Sequence, residues 1–154
     1  MFPIRVFVYG TLKRGEPNEH HLTLSSGIQQ FIGSGKTSNK FPLIIASKFN
    51  IPMVLRERGF GNQIRGEVYE INEEKLQCLD QLEAYPELYT REIEQIELDS
   101  GDVTNAWMYM VHEWRPDIYQ QSSELLKDYS SKGSHGREYV DSEDVSHPDQ
   151  LYDH

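Results

Sequence analysis

Apolar residues in this chain come mostly in short runs separated by glycine, proline and polar residues. The segment Ile4–Tyr9 is nearly all apolar, is rich in β-branched and aromatic residues, and ends at Gly10, which predicts a buried strand. Shorter runs with similar boundaries predict further strands, near Gln29–Gly35, Pro42–Ala46, Met53–Arg56 and Ile64–Ile71. The first half of the chain is therefore expected to form mainly sheet.

One segment in the middle of the chain has the pattern of an amphipathic helix. Asn72 is a favourable N-cap, acidic residues follow it in the first turn, and Pro86 prevents the helix from continuing much beyond Ala84. Three leucines at a spacing of three residues are predicted to mark the face toward the core: Leu76, Leu79 and Leu82.

The second half of the chain adds a predicted hairpin, with strands Leu88–Leu98 and Val103–Val111 around a turn. A short helix is predicted at Glu19–Leu24 and a last helix at Tyr119–Tyr129, followed by a flexible loop at Ser130–His135. About seven short strands with two or three helices, in no regular alternation, favour an α+β domain with a curved or barrel-like mixed sheet.

Length and charge set the domain organisation. The chain has 154 residues, which fits one domain, and a formal net charge of −10. The stretch 137–154 contains six acids and one Lys or Arg, so residues 1–140 are expected to form the domain and 141–154 a flexible acidic tail. An acidic protein is a poor partner for nucleic acid or an anionic membrane. With the single cysteine Cys78 and no apolar stretch of membrane-helix length, we expect a cytoplasmic monomer.

The loop after the first strand is the first candidate site. Tyr9-Gly10-Thr11-Leu12 follows a buried strand, and exposed backbone N–H groups in such a loop can bind an anion. Gly10 and Gly15 have the spacing of a nucleotide-binding P-loop, but Glu16 stands where that motif requires lysine, so we reject it. Considered alone, the loop is equally well explained as a tight connection that needs glycine.

Glu83 is the second candidate. It lies four residues after Leu79, beside the apolar stripe and near the helix C-terminus. Loss of hydration and the helix dipole should both raise its pKa, as a general base near neutral pH requires. Considered alone, it is more simply explained as a residue at the edge of the stripe that reaches water or pairs with Arg91.

Other chemistries lack support in the sequence. The six histidines and the one cysteine have none of the spacings of HExxH or CxxC metal sites, so we expect no metal. No G-x-S-x-G motif is present to suggest a serine hydrolase. Acidic residues near Glu83, among them Asp80 and Glu87, are interpreted as solvated surface charges.

The loop and the glutamate together resemble the γ-glutamylcyclotransferase-like superfamily, and most closely its γ-glutamylamine cyclotransferase (AIG2-like) branch. The similar segments are VFVYGTLKRGEPN, FNIPMVL, GEVYEI, LDQLEAYPELYTR and GSHGREY, spread over residues 4 to about 140. The combination of YGTL after a strand with L-x-x-L-E-x-x-P-x-L-Y-x-R about seventy residues later is the specific part of the resemblance.

The resemblance implies a small mixed β-barrel flanked by helices and a cyclisation reaction that needs no cofactor. A γ-glutamyl group would close on itself to give 5-oxoproline and release its amine, as from ε-(γ-glutamyl)-lysine. Glu83 would be the general acid and base, and the substrate would bind at Tyr9, Gly10, Thr11 and Leu12. Two alternatives remain: cyclisation of free γ-glutamyl amino acids, and a non-catalytic protein that binds a small ligand or a partner. The segment Gly133–Tyr139 either flanks the substrate or is an ordinary docked segment.

Overall fold

A five-stranded closed barrel dominates the computed structural model, which describes residues 4–140. The barrel strands are β1 (Ile4–Val8), β2 (Gln29–Phe41), β5 (Asn62–Ile71), β6 (Tyr89–Leu98) and β7 (Val103–Val111), and β3 (Leu43–Ala46) pairs with β4 (Ile51–Val54) in a separate two-stranded sheet. The helices are α1 (Glu19–Thr23), α2 (Glu73–Leu82) and α3 (Ile118–Gln121). The predicted α+β barrel flanked by helices is confirmed.

Closure of the barrel depends on β1. This strand pairs antiparallel with β5 on one side and parallel with β7 on the other, where Val6 lies beside Trp107. All other neighbouring strands in the barrel are antiparallel. The order is therefore β1-β5-β2-β6-β7 and back to β1, so each barrel strand has two neighbours.

Side chains of the barrel strands pack into two core clusters. One core cluster contains side chains from all five barrel strands and fills the interior, with Phe7, Phe41, Ile64, Ile96 and Met108 among its members. A second cluster lies under the helices and contains Val6 and Val8 of β1, next to Leu22 and Leu79. Successive residues of β1 therefore point into two different cores, which explains its nearly continuous apolar sequence.

The predicted helix after Asn72 is confirmed, but its buried face differs from the prediction. The Asn72 side chain accepts a hydrogen bond from the Lys75 backbone N–H at 3.0 Å. Leu79 is fully buried, whereas Leu82 is 42% exposed. The third position on the buried face belongs to Lys75, which a hydrophobic pattern does not identify.

The predicted last helix is wrong beyond its first turn. Only Ile118–Gln121 is helical. After it the backbone N–H groups of Ser123 and Leu126 donate to the carbonyls of Ile45 and Leu43 on β3. This pairing satisfies the backbone and buries Tyr129, so it overrides the local preference for helix.

The loop predicted at 130–135 is a hydrogen-bonded turn. Gly133 N–H donates to Ser130 O, and the His135 ring lies against Tyr129. The tail prediction for residues 141–154 lies outside the described residues. None of the helices within residues 4–140 has the length and apolar character that a membrane crossing requires.

Lys75 joins α2 to the end of α1. Its side chain is fully buried, and its ammonium donates to the Leu22 carbonyl and to both the carbonyl and the hydroxyl of Ser25. Burial lowers the pKa of this ammonium, while the three acceptors satisfy its hydrogens. The contact holds α1, and with it the loop before α1, against the second core cluster.

We expect Lys75→Ala to lower the free energy of unfolding by about 2–3 kcal/mol, because it leaves buried carbonyl acceptors unpaired and removes packed methylenes. Gln77→Ala, an exposed site on the same helix, is the control and should change it by less than about 0.5 kcal/mol. Urea unfolding measures both. Equal effects of the two substitutions would contradict the structural role of Lys75.

Candidate active site

The loop after β1 is anchored through Tyr9. Its hydroxyl donates to the Tyr109 backbone carbonyl on β7 at 2.8 Å and accepts from the Val54 N–H on β4 at 3.3 Å. The ring is 7% exposed and packs in the barrel interior with Phe7. Tyr9 thus ties the end of β1 to β7 and β4, and it fixes where the loop leaves the barrel.

Gly10 lies tightly against Pro52 of β4. A Cβ atom at position 10 would come within 3.0 Å of the Pro52 Cγ atom, a separation that requires the proline ring or the loop to shift. The glycine is therefore needed for close approach of two segments rather than for a left-handed conformation.

Three consecutive backbone donors in this loop are unpaired. Among residues 4–140, the N–H groups of Gly10, Thr11 and Leu12 donate to no other group, although the Gly10 and Thr11 carbonyls accept from Lys13 and Asn18. Consecutive N–H groups of this kind form an anion-binding surface. The Leu12 side chain is buried in the second core cluster, so Leu12 presents its backbone to the site.

A cavity of about 310 Å³ lies beside this loop. Its walls include all five candidate residues, Tyr9, Gly10, Thr11, Leu12 and Glu83, although Glu83 follows the loop by about seventy positions in sequence. The other wall segments come from α1, β4, the start of β6, β7 and the C-terminal part of the described chain, and include Asn18, His21, Pro52, Tyr89, Tyr109 and Tyr139.

Glu83 occupies the C-cap of α2, and a double hydrogen bond fixes that end. The Tyr85 N–H donates to Asp80 O at 2.9 Å and the Ala84 N–H to Gln81 O at 3.1 Å, the pattern of a Schellman motif. Ala84 has φ of 51°, in the left-handed region where glycine is usual. The chain therefore turns sharply right after Glu83, which keeps the carboxylate at the helix end, in the cavity wall.

Burial raises the pKa of the Glu83 carboxyl from its ordinary value of 4.5 to about 7. The cause is loss of hydration, because the half-buried residue lines the cavity. The raised pKa expected from the sequence is confirmed in direction, and loss of hydration alone accounts for it. At neutral pH this carboxyl is divided between its acid and base forms.

Arg91 pairs with Asp80 and not with Glu83. The guanidinium makes two hydrogen bonds to the Asp80 carboxylate, at 2.9 and 3.1 Å, and packs between the rings of Trp107 and Tyr85. The Tyr109 hydroxyl donates to the same carboxylate at 2.6 Å. The interpretation of Asp80 as a solvated surface charge is therefore wrong: it links α2 to β6 and β7, one turn before Glu83.

Several residues of the cavity wall were not identified from the sequence. Pro52 lies in the FNIPMVL segment of the resemblance and Tyr109 lies in none of its segments, but neither was singled out for the site, and only the fold brings them beside the loop. Tyr139 lies in the segment Gly133–Tyr139, so that segment borders the cavity. Within residues 4–140 no group of three or more His, Cys, Asp or Glu side chains is arranged to hold a metal ion.

The raised pKa of Glu83 predicts a pH-dependent cost to stability. Unfolded chains release this proton near pH 4.5 and the folded protein near pH 7, so stability due to this group falls as pH rises between these values. Glu83→Gln should therefore unfold with a free energy about 2 kcal/mol higher than wild type at pH 8, and similar to it at pH 4. Chemical denaturation at both pH values measures this, with the exposed Glu87→Gln as a control. A less stable Glu83→Gln at pH 8 would contradict the assignment.

Comparisons with known proteins identify the family of this chain. The family described as "Gamma-glutamyl cyclotransferase, AIG2-like" matches residues 6–131. A Drosophila melanogaster protein named "Putative gamma-glutamylcyclotransferase CG2811" is 48% identical over 126 residues, which cover 81% of this chain and 79% of that protein. The Danio rerio protein named gamma-glutamylaminecyclotransferase C is 37% identical over 145 residues, 90% of this chain and 94% of that one.

Structural similarity agrees with the sequence similarity. The crystal structure of an AIG2-like protein from Mus musculus superposes with a TM-score of 0.85 at 36% sequence identity, covering 93% of this chain and 99% of the mouse chain. The barrel and its helices are therefore shared along nearly the whole mouse protein. The chain belongs to the gamma-glutamyl cyclotransferase, AIG2-like family.

Proposed function

We propose that this protein is a γ-glutamylamine cyclotransferase, which converts the γ-glutamyl group of an L-γ-glutamyl amine to 5-oxoproline and releases the amine. One observation carries the proposal. A single cavity joins a carboxyl with a pKa of about 7 to three consecutive unpaired N–H groups. Proton transfer and stabilisation of negative charge on an oxygen are the two kinds of assistance that this cyclisation requires.

Glu83 is proposed as the proton-transfer residue. The α-ammonium of the substrate gives a proton to the Glu83 carboxylate, and the resulting amine attacks its own γ-carbonyl carbon. A C–N bond forms to close the five-membered ring, the bond to the leaving amine breaks, and the proton held by Glu83 passes to that amine. The ring nitrogen then loses its second proton by the same route through Glu83, which leaves the lactam N–H and releases the amine as an ammonium. A carboxyl that titrates near 7 can both accept and return this proton at neutral pH. The reaction is intramolecular, so correct folding of the substrate supplies much of the rate enhancement.

The loop Tyr9-Gly10-Thr11-Leu12 is proposed as the substrate-binding segment. The unpaired N–H groups of Gly10, Thr11 and Leu12 are suited to the substrate α-carboxylate and to the oxyanion that forms at the γ-carbon. Among the described residues, no Lys or Arg lines the cavity. Neutral hydrogen-bond donors must therefore hold most of the negative charge of the substrate. Tyr9 acts by fixing the loop to Tyr109 and Val54.

The choice of a γ-glutamyl amine, such as ε-(γ-glutamyl)-lysine, is supported by the name of the zebrafish relative, which aligns over 90% of this chain. Cyclisation of free γ-glutamyl amino acids is the alternative, and the name of the Drosophila relative leaves it open. A non-catalytic binding protein is the second alternative. The raised pKa of Glu83 favours an enzyme over this alternative, because carboxyls with strongly raised pKa values in clefts cluster at catalytic sites.

The proposed reaction uses no cofactor or metal, since proton transfer and hydrogen bonding suffice for it. The single cysteine, Cys78, suits a reducing compartment, and we propose a cytoplasmic monomer. The acidic balance of the chain supports a small-molecule substrate rather than nucleic acid.

Substitution of Glu83 by Gln tests the reaction. We expect kcat for ε-(γ-glutamyl)-lysine to fall by about 10²–10⁴-fold with little change in KM, because the amide cannot carry the proton. Glu87→Gln should retain wild-type turnover. The measurement is 5-oxoproline released from ε-(γ-glutamyl)-lysine and from a panel of γ-glutamyl amino acids. Turnover of none of these substrates by wild type, or full activity of Glu83→Gln, would refute the proposed enzyme.

Gly10→Ala tests the role of the loop. The new methyl group would press on Pro52 and displace the N–H donors, so we expect kcat/KM to fall by roughly 10–100-fold, because misplacement by about 1 Å is costly in catalysis. Gly33→Ala is the matched control, because its methyl group would meet only Leu98 at 3.7 Å, an ordinary contact. Equal kinetics of the two alanine variants would contradict the assignment of Gly10.

A further inference from the structure

The side chain of Asn18 joins the substrate loop to the C-terminal part of the described chain. Its amide nitrogen donates to the Thr11 hydroxyl oxygen at 3.0 Å and to the Tyr139 hydroxyl oxygen at 3.2 Å. The backbone N–H of Asn18 also donates to the Thr11 carbonyl at 2.9 Å. Asn18 thus holds Thr11 at two points, and all three residues line the cavity.

Asn18 stands at the N-cap position of α1, yet its side chain makes no capping hydrogen bond. An asparagine at this position ordinarily accepts from a backbone N–H in the first turn of the helix. Here the amide is turned the other way, toward the loop. The geometry therefore assigns the side chain to the cavity rather than to the helix.

Hydrogen-bond polarity follows from these contacts. An amide nitrogen only donates, so the Thr11 oxygen accepts, and its own hydrogen must go to another acceptor. Within residues 4–140 the Thr11 hydroxyl donates to no group. The hydroxyl is therefore set as a donor, on a residue that lines the cavity and whose backbone N–H is also unpaired.

The position of Tyr139 does not depend on Asn18 alone. Its backbone N–H donates to the Ser131 hydroxyl at 2.9 Å, and the next residue, Val140, donates to the Phe49 carbonyl at 2.9 Å. Tyr139 is thus a fixed acceptor for the second amide hydrogen of Asn18. With both hydrogens committed, the amide cannot rotate without losing a bond.

We propose that Asn18 is a positioning residue that fixes the Thr11 hydroxyl as a hydrogen-bond donor to the α-carboxylate of the γ-glutamyl substrate. This rests on the proposed function, which supplies the carboxylate. No Lys or Arg of the described chain lines the cavity, and His21 is the one wall residue there able to carry a positive charge. An anion in such a site must be bound by oriented neutral donors. A hydrogen bond from such a donor to a carboxylate is stronger than one between two neutral groups.

The test compares two ligands that differ only in the carboxylate, 5-oxoproline and 2-pyrrolidinone, as inhibitors and by titration calorimetry. The variants are Asn18→Leu, Asn18→Asp, Thr11→Val, Thr11→Ser and the double variant Asn18→Leu/Thr11→Val. Asn18→Asp keeps the side-chain shape but accepts, so it draws the Thr11 hydrogen away from the cavity. Asn105→Asp adds the same charge at an exposed site on β7 and serves as its control.

We expect Asn18→Leu and Thr11→Val each to weaken 5-oxoproline about 10-fold, with 2-pyrrolidinone changed less than about 2-fold. The double variant should bind no more weakly than Thr11→Val, because Asn18 acts through Thr11. Asn18→Asp should be weaker than Asn18→Leu, and Thr11→Ser should bind like wild type. With substrate, the loss should appear mainly in KM.

The assignment of Asn18 would be overturned if the double variant lost 5-oxoproline affinity by the product of the two single losses. Equal losses of affinity for 5-oxoproline and 2-pyrrolidinone would also overturn it. Wild-type turnover is measured in the same series and decides the proposed reaction separately. A protein that binds 5-oxoproline with the expected pattern but turns over no substrate would refute the enzyme and retain the role of Asn18 in carboxylate binding.

Discussion

Closure of the barrel by one five-residue strand is the constraint on which the rest of the structure depends. β1 joins β5 to β7, its side chains enter both cores, and the loop that we propose to bind substrate begins at the next residue. The Tyr9 hydroxyl then bonds to β7 and β4. Because the strand is held on all sides, the loop that follows it starts from a fixed point. The packing that closes the barrel therefore also sets the geometry of the candidate site.

On the other side of the cavity, the end of α2 adopts a conformation that its residues do not favour locally. Glu83 is held where its ionised form is poorly hydrated, and Ala84 takes a left-handed conformation that ordinarily favours glycine. Contacts nearby offset these costs. The Asp80 carboxylate takes two hydrogen bonds from Arg91 and one from Tyr109, so the last turn of α2 is tied to two barrel strands. With Arg91 engaged by Asp80, burial remains the cause of the raised pKa of Glu83.

Local signals in the sequence were sufficient for the barrel class and for most strands. They only marked the two halves of the candidate site, which the family resemblance then joined. The YGTL loop and Glu83 were accessible because each depends on residues close in sequence: a strand end with glycine, and a helix end with an apolar stripe. The residues that contact and support these two segments could not be predicted from the sequence. Asn18 meets Tyr139 across 121 positions, and the Lys75 ammonium meets the carbonyl of Leu22 across 53. The predicted helix at Tyr119–Tyr129 failed for the same reason, since its backbone partners are on β3.

The distribution of the cavity wall along the chain has a consequence for ligand discovery. Its residues extend from Phe7 to Tyr139, so no fragment of the domain contains the whole binding surface. A ligand of this cavity therefore binds the folded state and has no equivalent site on the unfolded chain. By linkage, a ligand present at 100 times its dissociation constant would raise the unfolding free energy by about 2.7 kcal/mol. Shifts in melting temperature measured with different γ-glutamyl amines would therefore show, without a label, which amine the protein binds.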